Sequence, residues 1–335
     1  MTPDPSVLFW TAAHREALAG LTYAVMRRKG FMVLTGEAGT GKTTLLRKLL
    51  DSSPVAMRTS FVYNPTLTPS EFLELALADF DIPVSINKAQ RLLRLEQFLL
   101  ATRREGKVAV LIIDEAHKLS PDLLEEVRLL TNFETAKEKL LQIVLAGQPE
   151  LNGILNRDDL WQLKQRVAVR LQIQPLSRPD VHQYLRFRWM KAGGSEPLPF
   201  RETAVELIAS WSRGIPRIIN GICDNALVSA YGSNRNEVAP EDVLEVVRDL
   251  DLRAAGSVQP ARKTASPPSR PMAVAIPAEP IPLAANGRSI PVTPAAHIHE
   301  QMPLERYGER EPEISLLSRW AGKFGFRMRK AEMTK

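Results

Sequence analysis

The sequence contains a single cysteine and no long hydrophobic run. Cys223 stands alone among 335 residues, which excludes a disulfide framework and a zinc site built from cysteines. The longest uninterrupted apolar run is the six residues 108–113, whereas a membrane-spanning helix needs about 20. The first residues, MTPDP, lack the basic start and the apolar stretch of a signal peptide. We therefore expect a cytoplasmic protein.

The composition is that of a folded protein with more than one unit. Hydrophobic residues make up 44% of the chain and charged residues 24%, which permits a sizeable core. A chain of 335 residues is long for one domain, since a domain usually has about 100 to 200 residues. The sequence therefore predicts two folded units.

The positive charge is concentrated in the last quarter of the chain. Residues 1–252 carry 31 basic and 31 acidic residues, whereas residues 253–335 carry 13 and 7 and account for the whole net charge of +6. A neutral folded part gives no general sign of nucleic-acid binding, although a local basic stripe is compatible with it.

Hydrophobic patterning divides the chain into four segments. Short strand-like runs at 31–35, 55–63, 108–113, 140–146 and 169–173 alternate with helical stretches or loops, which favours an α/β fold with a parallel sheet covered on both faces. Helical patterns follow at 180–191, 202–212, 216–230 and 240–250. Eleven prolines between 254 and 313 indicate an extended linker. We predict an α/β domain at 1–176, an all-helical domain at 177–252, a disordered linker at 253–313 and a tail at 314–335.

A glycine-rich motif follows the first predicted strand. Residues 36–43, GEAGTGKT, match the phosphate-loop pattern G-x-x-x-x-G-K-[ST], with a strand before it and a helix from residue 44 onward. Its backbone N–H groups would face the phosphates of ATP, Lys42 would reach the β- and γ-phosphates, and the Thr43 hydroxyl would bind Mg²⁺. The predicted contacts with the nucleotide are Gly36, Glu37, Ala38, Gly39, Thr40, Gly41, Lys42, Thr43 and Thr44.

A second acidic motif lies at the end of the apolar run 108–113. Asp114 would hold the Mg²⁺ shell, and Glu115 would orient and deprotonate the attacking water. Together with the phosphate loop, this pair predicts an ATPase rather than a passive nucleotide binder. We interpret His117, two residues further on, as a supporting residue rather than a direct participant.

Further candidates follow strands or begin helices. Gln148 follows the strand at 140–146 and would orient the water, although turn chemistry before Pro149 is the alternative. Asn64 ends the second strand and would hold Glu115 inactive until a partner binds, although Asn-Pro is also a common turn signal. Their functional roles are predictions from placement.

Three arginines are candidates for sensing or completing the site. Arg217 follows a proline suited to the first position of a helix, and from there it would fold over the γ-phosphate. Arg166 follows a short helical pattern just before the last strand, where it would enter a neighbouring subunit's site as an arginine finger. Arg170 is the rival candidate for that finger.

These motifs resemble the AAA+ ATPases of the ORC-like group, and more narrowly the bacterial general-secretion ATPases of the ExeA type. The resemblance covers about residues 5 to 250 and is carried by segments 14–19, 36–46, 63–65, 142–151 and 214–220. Related ATPases accompany pilus and exopolysaccharide-export systems. The downstream sequence departs from the family because no membrane-spanning helix or peptidoglycan-binding domain follows the ATPase part.

The resemblance implies roles that the patterns alone do not. It implies a sheet with strand order 5-1-4-3-2, a helical lid and an active ring or filament. It also implies that the segment starting at His14 lies over the adenine, that Asn64 is the glutamate switch, that Gln148 is sensor 1 and that Arg217 is sensor 2. The implied cofactors are ATP and Mg²⁺.

The tail combines an apolar stripe with basic residues. Apolar residues recur at spacings of three and four from 314 to 328, and four basic residues fall on another side of a helix drawn through them. Such a segment would contact an anionic membrane surface, dock in a partner's groove, or remain disordered. His297 and His299 in the linker supply only half of a tetrahedral zinc shell.

Three functions remain open from the sequence. The leading one is a motor or switch ATPase that serves a secretion, pilus or polysaccharide-export assembly, with a peripheral contact at the inner membrane through the tail. The alternative is a DNA-acting ATPase that regulates transposition or replication; the neutral folded part and the lack of a winged-helix domain speak against it. A switch that binds ATP without hydrolysing it is the third, and Glu115 speaks against it.

Overall fold

The computed structural model describes residues 8–63, 66–84 and 87–252. Asn64, the predicted linker 253–313 with His297 and His299, and the predicted tail 314–335 all lie outside the described residues. None of the helices in the described ranges combines the length and the hydrophobicity needed to cross a membrane.

The described residues alternate strands and helices up to residue 173 and are helical afterwards. The elements in chain order are α1 (Ala12–Met26), β1 (Phe31–Gly36), α2 (Lys42–Ser52), β2 (Met57–Val62), α3 (Pro69–Asp79), α4 (Lys88–Arg104), β3 (Val108–Ile113), α5 (Pro121–Leu130), β4 (Leu141–Gly147), α6 (Glu150–Leu155), α7 (Trp161–Gln165), β5 (Val167–Ile173), α8 (Arg178–Lys191), α9 (Glu202–Ser212), α10 (Pro216–Gly232) and α11 (Pro240–Asp249). Short 3-10 turns precede α5 and α7.

The five strands form one parallel sheet with the order β2-β3-β4-β1-β5. This order is the predicted 5-1-4-3-2 arrangement counted from the opposite edge, so the predicted α/β fold and its topology are confirmed. Because all strands run the same way, the carboxyl ends of β1, β3 and β4 lie along one edge of the sheet. The loops that follow these strands therefore meet there.

Each face of the sheet is covered by helices. Successive side chains of a strand point to opposite faces. Accordingly, Phe31 and Val33 of β1 pack with α3, α4 and α5, whereas Met32 and Leu34 pack with α1 and α2. The two faces of the sheet thus carry separate apolar clusters, which fixes which face of each strand meets which helices.

The helices α8 to α11 enclose a separate hydrophobic core. They join the sheet through a close backbone contact, in which the Leu176 N–H donates to the Gly214 carbonyl oxygen at 2.8 Å. Gly214 has a φ of +71°, and a Cβ at this position would lie 2.0 Å from the Leu176 carbonyl oxygen. The sequence Gly214-Ile215-Pro216 therefore holds the start of α10 against the end of the α/β part.

The predicted elements differ from the observed ones mainly at their ends. The last strand begins at Val167 instead of 169, because a register shift next to Phe31 lets Val167 pair with Phe31 and Val169 with Met32. The segment alternates half-buried and exposed residues, as expected for an edge strand with one face on α1. The strand predicted at 55–63 is limited to Met57–Val62.

Candidate nucleotide-binding site

The phosphate loop joins the end of β1 to the start of α2 at the carboxyl edge of the sheet. Gly41 has a φ of +97° and is the N-cap of α2, a conformation that glycine adopts without steric cost. Thr40 tightens the loop, since its Oγ1 donates a hydrogen bond of 2.8 Å to the Glu37 carbonyl oxygen. The N-terminus of a helix presents backbone N–H groups and a positive dipole end, which together attract anions. The loop is therefore suited to hold phosphate groups.

Lys42 is buried at the centre of this loop. Its Nζ donates to the carbonyl oxygens of Gly36 at 2.8 Å and Glu37 at 3.0 Å. Burial lowers the pKa of Lys42, while the nearby carboxylates of Asp114 and Glu115 act in the opposite direction. The ammonium group thus lies between the loop and the acidic end of β3.

Thr43 and Asp114 form the oxygen pair expected of a magnesium site. The Thr43 Oγ1 donates a hydrogen bond of 2.5 Å to Asp114 Oδ2, and Asp114 Oδ1 accepts one of 2.9 Å from the Glu115 N–H. Mg²⁺ prefers hard oxygen ligands and commonly takes one or two from the protein, with water and phosphate completing its shell. The hydroxyl and the buried carboxylate fit this ion, which would neutralise phosphate charge there.

Glu115 lies two residues beyond the end of β3 and lines a cavity next to the phosphate loop. Its φ of +53° turns the chain sharply into the following 3-10 turn. Its Oε2 lies 3.3 Å from Lys118 Nζ and 3.7 Å from His117 Nε2. The carboxylate is half-buried, so it is accessible to water while facing the loop.

His117 connects Glu115 with Gln148. The Gln148 backbone N–H donates to His117 Nδ1 at 3.3 Å. A neutral imidazole that accepts at Nδ1 carries its proton on Nε2, and Nε2 lies 3.1 Å from the side-chain amide of Gln148. We therefore assign the amide with its oxygen toward the ring. As the sequence predicts, Gln148 lies next to the acidic end of β3. The His117 imidazole connects the two.

His14 supports the loop from α1. Its Nε2 lies 3.0 Å from the Thr40 carbonyl oxygen, and its Nδ1 lies 2.7 Å from Thr11 Oγ1, which also accepts from the His14 N–H. Burial lowers the pKa of His14, so the ring is neutral, donates through Nε2 and accepts through Nδ1. The neighbouring Arg15 turns to the Trp10 carbonyl oxygen at 2.9 Å. His14 thus lines the cavity and also holds the loop in place.

Arg217, the second residue of α10, lies directly against the phosphate loop. Its backbone N–H approaches the Gly39 carbonyl oxygen at 3.4 Å. A Cβ at Gly39 would come within 2.5 Å of the Arg217 Cβ. Because of this contact the Arg217 side chain reaches the cavity that the loop forms.

The cavity has a volume of about 490 Å³ and extends from the loop to α8 and α10. Its far wall holds four polar residues that the sequence patterns did not predict: Tyr184, Arg188, Asn220 and Asp224. For α10 a signal existed, because Asn220 and Asp224 follow Arg217 at spacings of three and seven and so share its helix face. For α8 the sequence offers no local signal, since only the packing of the helices turns it toward the loop.

The two finger candidates lie away from this cavity. Arg166 precedes β5, whose first residue pairs with Phe31, whereas the phosphate loop begins at Gly36 at the other end of β1. At about 3.3 Å per residue the length of β1 separates them by roughly 17 Å. Arg166 Nη1 donates to Thr131 Oγ1 at 2.6 Å, and Arg170 is exposed in the middle of β5. The structure does not bring either arginine to the site of its own chain.

The motifs and the fold are similar to those of known proteins. Residues 25–155 match the family described as AAA domain. Over these residues the chain is similar to an AAA domain. The matched range holds the phosphate loop, the acidic end of β3 and Gln148. Members of this family bind nucleotides and are typically ATPases.

Two curated proteins are similar to this chain over most of its length. General secretion pathway protein A of Aeromonas hydrophila is 41% identical over 245 residues, which are 72% of this chain and 45% of that protein. The ATP-dependent target DNA activator B of Escherichia phage Mu is 27% identical over 259 residues, which are 75% of each chain. The predicted resemblance to general-secretion proteins is confirmed, and the chain spans less than half the length of that relative.

Solved structures share the fold at low sequence identity. Cdc6p of Pyrobaculum aerophilum superposes with a TM-score of 0.57 at 21% identity, covering 73% of this chain and 71% of that one. The ORC2 protein of Aeropyrum pernix, in complexes with ADPNP and ADP, gives a TM-score of 0.54 at 16% identity, covering 74% and 70%. The predicted ORC-like fold of the AAA domain and its helical partner is therefore confirmed.

Proposed function

We propose that this chain binds and hydrolyses MgATP and acts as a motor or switch. The observation that carries the proposal is the 2.5 Å hydrogen bond between Thr43 and Asp114, beside the buried Lys42. It joins the two halves of a phosphoryl-transfer site that are 71 residues apart in the sequence. In this proposal Lys42 binds the β- and γ-phosphates, and the Thr43 and Asp114 oxygens hold Mg²⁺.

The remaining roles follow from the positions of the side chains. Glu115 acts as the base that orients and deprotonates water, because its half-buried carboxylate lines the cavity next to Lys42. Gln148, fixed by His117, senses the γ-phosphate. Arg217 transmits the nucleotide state to the helices 177–252, which act as a lid on the α/β domain 1–176, because the start of α10 contacts Gly39.

Hydrolysis in this proposal depends on self-association into a ring or filament. Arg166 lies at the opposite end of β5 from its own loop, so its guanidinium would complete the site of a neighbouring subunit. Within one chain, the hydrogen bond to Thr131 holds the half-buried Arg166 side chain in place. Arg170 remains the alternative finger, since it is exposed on β5, the strand that follows Arg166.

We propose an envelope-associated secretion or export assembly as the setting, supported by the 41% identity with general secretion pathway protein A. The protein would act in the cytoplasm at the inner membrane, with the tail 314–335 as the contact. A DNA-acting ATPase is the second candidate, supported by the match with target DNA activator B over 75% of both chains.

The deciding experiment measures steady-state ATP hydrolysis by the full chain alone, with duplex DNA, and with anionic vesicles. We expect magnesium-dependent hydrolysis that Glu115→Gln reduces by about 100-fold or more, the usual contribution of a general base, while ATP affinity is retained. Lys42→Ala should lose ATP binding. Glu96→Gln, at an exposed position of α4, is the matched control and should hydrolyse ATP at the native rate.

The added components separate the two settings. Stimulation by vesicles that is lost when residues 314–335 are deleted supports the membrane-associated assembly, whereas stimulation by DNA alone supports the second candidate. Native-like hydrolysis by Glu115→Gln would show that the base is assigned to the wrong residue. Absence of ATP binding by the native chain would refute the proposal as a whole.

A further inference from the structure

The end of the cavity opposite the phosphate loop is formed by α8 and α10 and is polar. Tyr184 and Arg188 are one turn apart on α8, and Asn220 and Asp224 are one turn apart on α10. The Tyr184 hydroxyl donates to Asn220 Oδ1 at 2.9 Å, which links the two helices. No role in the proposed phosphate chemistry uses these residues.

Asp224 is the unusual member of this group. Its Oδ1 is fully buried and has no hydrogen-bond partner among the described residues. Burial raises the pKa of the Asp224 carboxyl, and the charge of Arg188 opposes this shift. A buried carboxylate oxygen without a donor is costly. A ligand cannot reach this enclosed Oδ1, so Asp224, which lines the cavity, can meet a ligand there only through its other carboxylate oxygen.

The surroundings of Asp224 fit the nucleoside half of a nucleotide. Leu8 and Phe9 line the same cavity, and the Phe9 ring lies edge-on to Tyr184 with centroids 5.6 Å apart. An apolar and aromatic wall next to a polar acceptor suits a planar base with its sugar. Along α10, Asp224 lies seven residues beyond Arg217, which at 1.5 Å per residue is roughly 10 Å from the phosphate end.

We propose that Asp224 accepts a hydrogen bond from the nucleoside of the bound nucleotide and thereby selects which nucleotide binds. The positive charge of Arg188 favours the ionised form of this carboxylate. The donor is a ribose hydroxyl or the exocyclic amino group of adenine, because both carry a hydrogen that the cavity-facing oxygen of the carboxylate can accept. This inference rests on the proposed nucleotide-binding function and adds its specificity.

The test is titration calorimetry of the full chain with ATP, 2′-deoxyATP, 3′-deoxyATP and inosine triphosphate. The native protein should bind at least one analogue about 10- to 100-fold more weakly than ATP, the range for a hydrogen bond to a charged group. Weak binding of a deoxy analogue identifies a ribose hydroxyl, and weak binding of inosine triphosphate identifies the amino group. Asp224→Ala should bind ATP as weakly as the native protein binds that analogue and should no longer distinguish the two.

Control measurements separate recognition from folding. Asn225→Ala changes the next position of α10, which is exposed, and should leave all four affinities unchanged. The nucleotide-free Asp224→Ala protein should unfold at the native temperature or above, because the substitution removes an unpaired buried carboxylate; a structural carboxylate would give the opposite shift.

Two results would overturn the inference while leaving ATP binding intact. The first is equal affinity of the native protein for ATP and all three analogues, which does not depend on the folding of any variant. The second is a folded Asp224→Ala protein that keeps native discrimination. Loss of binding to every nucleotide in the native chain would instead refute the proposed function.

Discussion

Gly39 lies at a position that the phosphate-loop pattern leaves open, yet the structure requires glycine there. Its φ is +87°, and a Cβ would lie 2.5 Å from the Arg217 Cβ and 3.3 Å from Ile215 Cγ2. Gly39→Ala therefore has two expected effects. It strains the loop, and it pushes the start of α10 away from the phosphates.

The magnitude follows from these two contributions. A residue with a Cβ in the left-handed region costs roughly 1–2 kcal/mol, and overpacking of a close contact costs about 1–3 kcal/mol. The unfolding free energy should fall by about 2–5 kcal/mol out of the roughly 5–15 kcal/mol typical of a folded domain. ATP affinity should fall as well, because the Arg217 guanidinium is displaced together with the helix.

Urea unfolding and titration calorimetry measure the two effects. Gly106→Ala is the matched control for strain, since Gly106 has a φ of +73° and a Cβ at this position would meet nothing within 4 Å; it should lose roughly 1–2 kcal/mol and keep its ATP affinity. In an Arg217→Gly background, which has no Cβ to collide with, Gly39→Ala should cost only the strain. The contact between residues 39 and 217 has no energetic role if Gly39→Ala lowers the unfolding free energy no more than Gly106→Ala does. The same holds if Gly39→Ala lowers it equally in the native and the Arg217→Gly backgrounds.

Three further predictions test the site. Mixing Arg166→Ala with Lys42→Ala should restore part of the hydrolysis that each variant lacks. Arg166→Ala supplies an intact nucleotide site, and Lys42→Ala supplies an intact finger. No recovery on mixing would argue against a finger in trans. His117→Ala should lower kcat on the order of tenfold with little change in KM. The double variant with Gln148→Ala should lower kcat little further, since both substitutions remove the same interaction. Additive losses of kcat would show that the two residues act independently. The pKa of His14 is lower in the folded chain than the ordinary value of 6.5. As the pH falls below 6.5, the unfolded chain therefore binds more protons than the folded chain. The free energy of unfolding should fall in this pH range by at most about 1.4 kcal/mol per pH unit. Urea unfolding at pH 7.5 and 5.5 should show a smaller pH dependence for His14→Gln than for the native protein. An equal pH dependence of both proteins would contradict this prediction.

The sequence by itself determined the fold class and predicted which residues would bind phosphate. A phosphate loop is a contiguous segment whose glycines, lysine and threonine have fixed spacing, so Lys42 and Thr43 are recognisable without tertiary contacts. Asp114 and Glu115 are recognisable because they end an apolar run that only a buried parallel strand explains. The strand order came from the family resemblance of the motifs and not from periodicity.

The tertiary structure alone decided which distant residues share the cavity. Tyr184 and Asp224 line the cavity because α8 and α10 pack beside the phosphate loop, where Arg217 meets Gly39. Likewise, His14 reaches Thr40 across 26 residues of sequence. A local pattern reports which face of a helix is apolar, but it carries no information on which partner a polar side chain will meet, because that depends on how separately folded segments pack together.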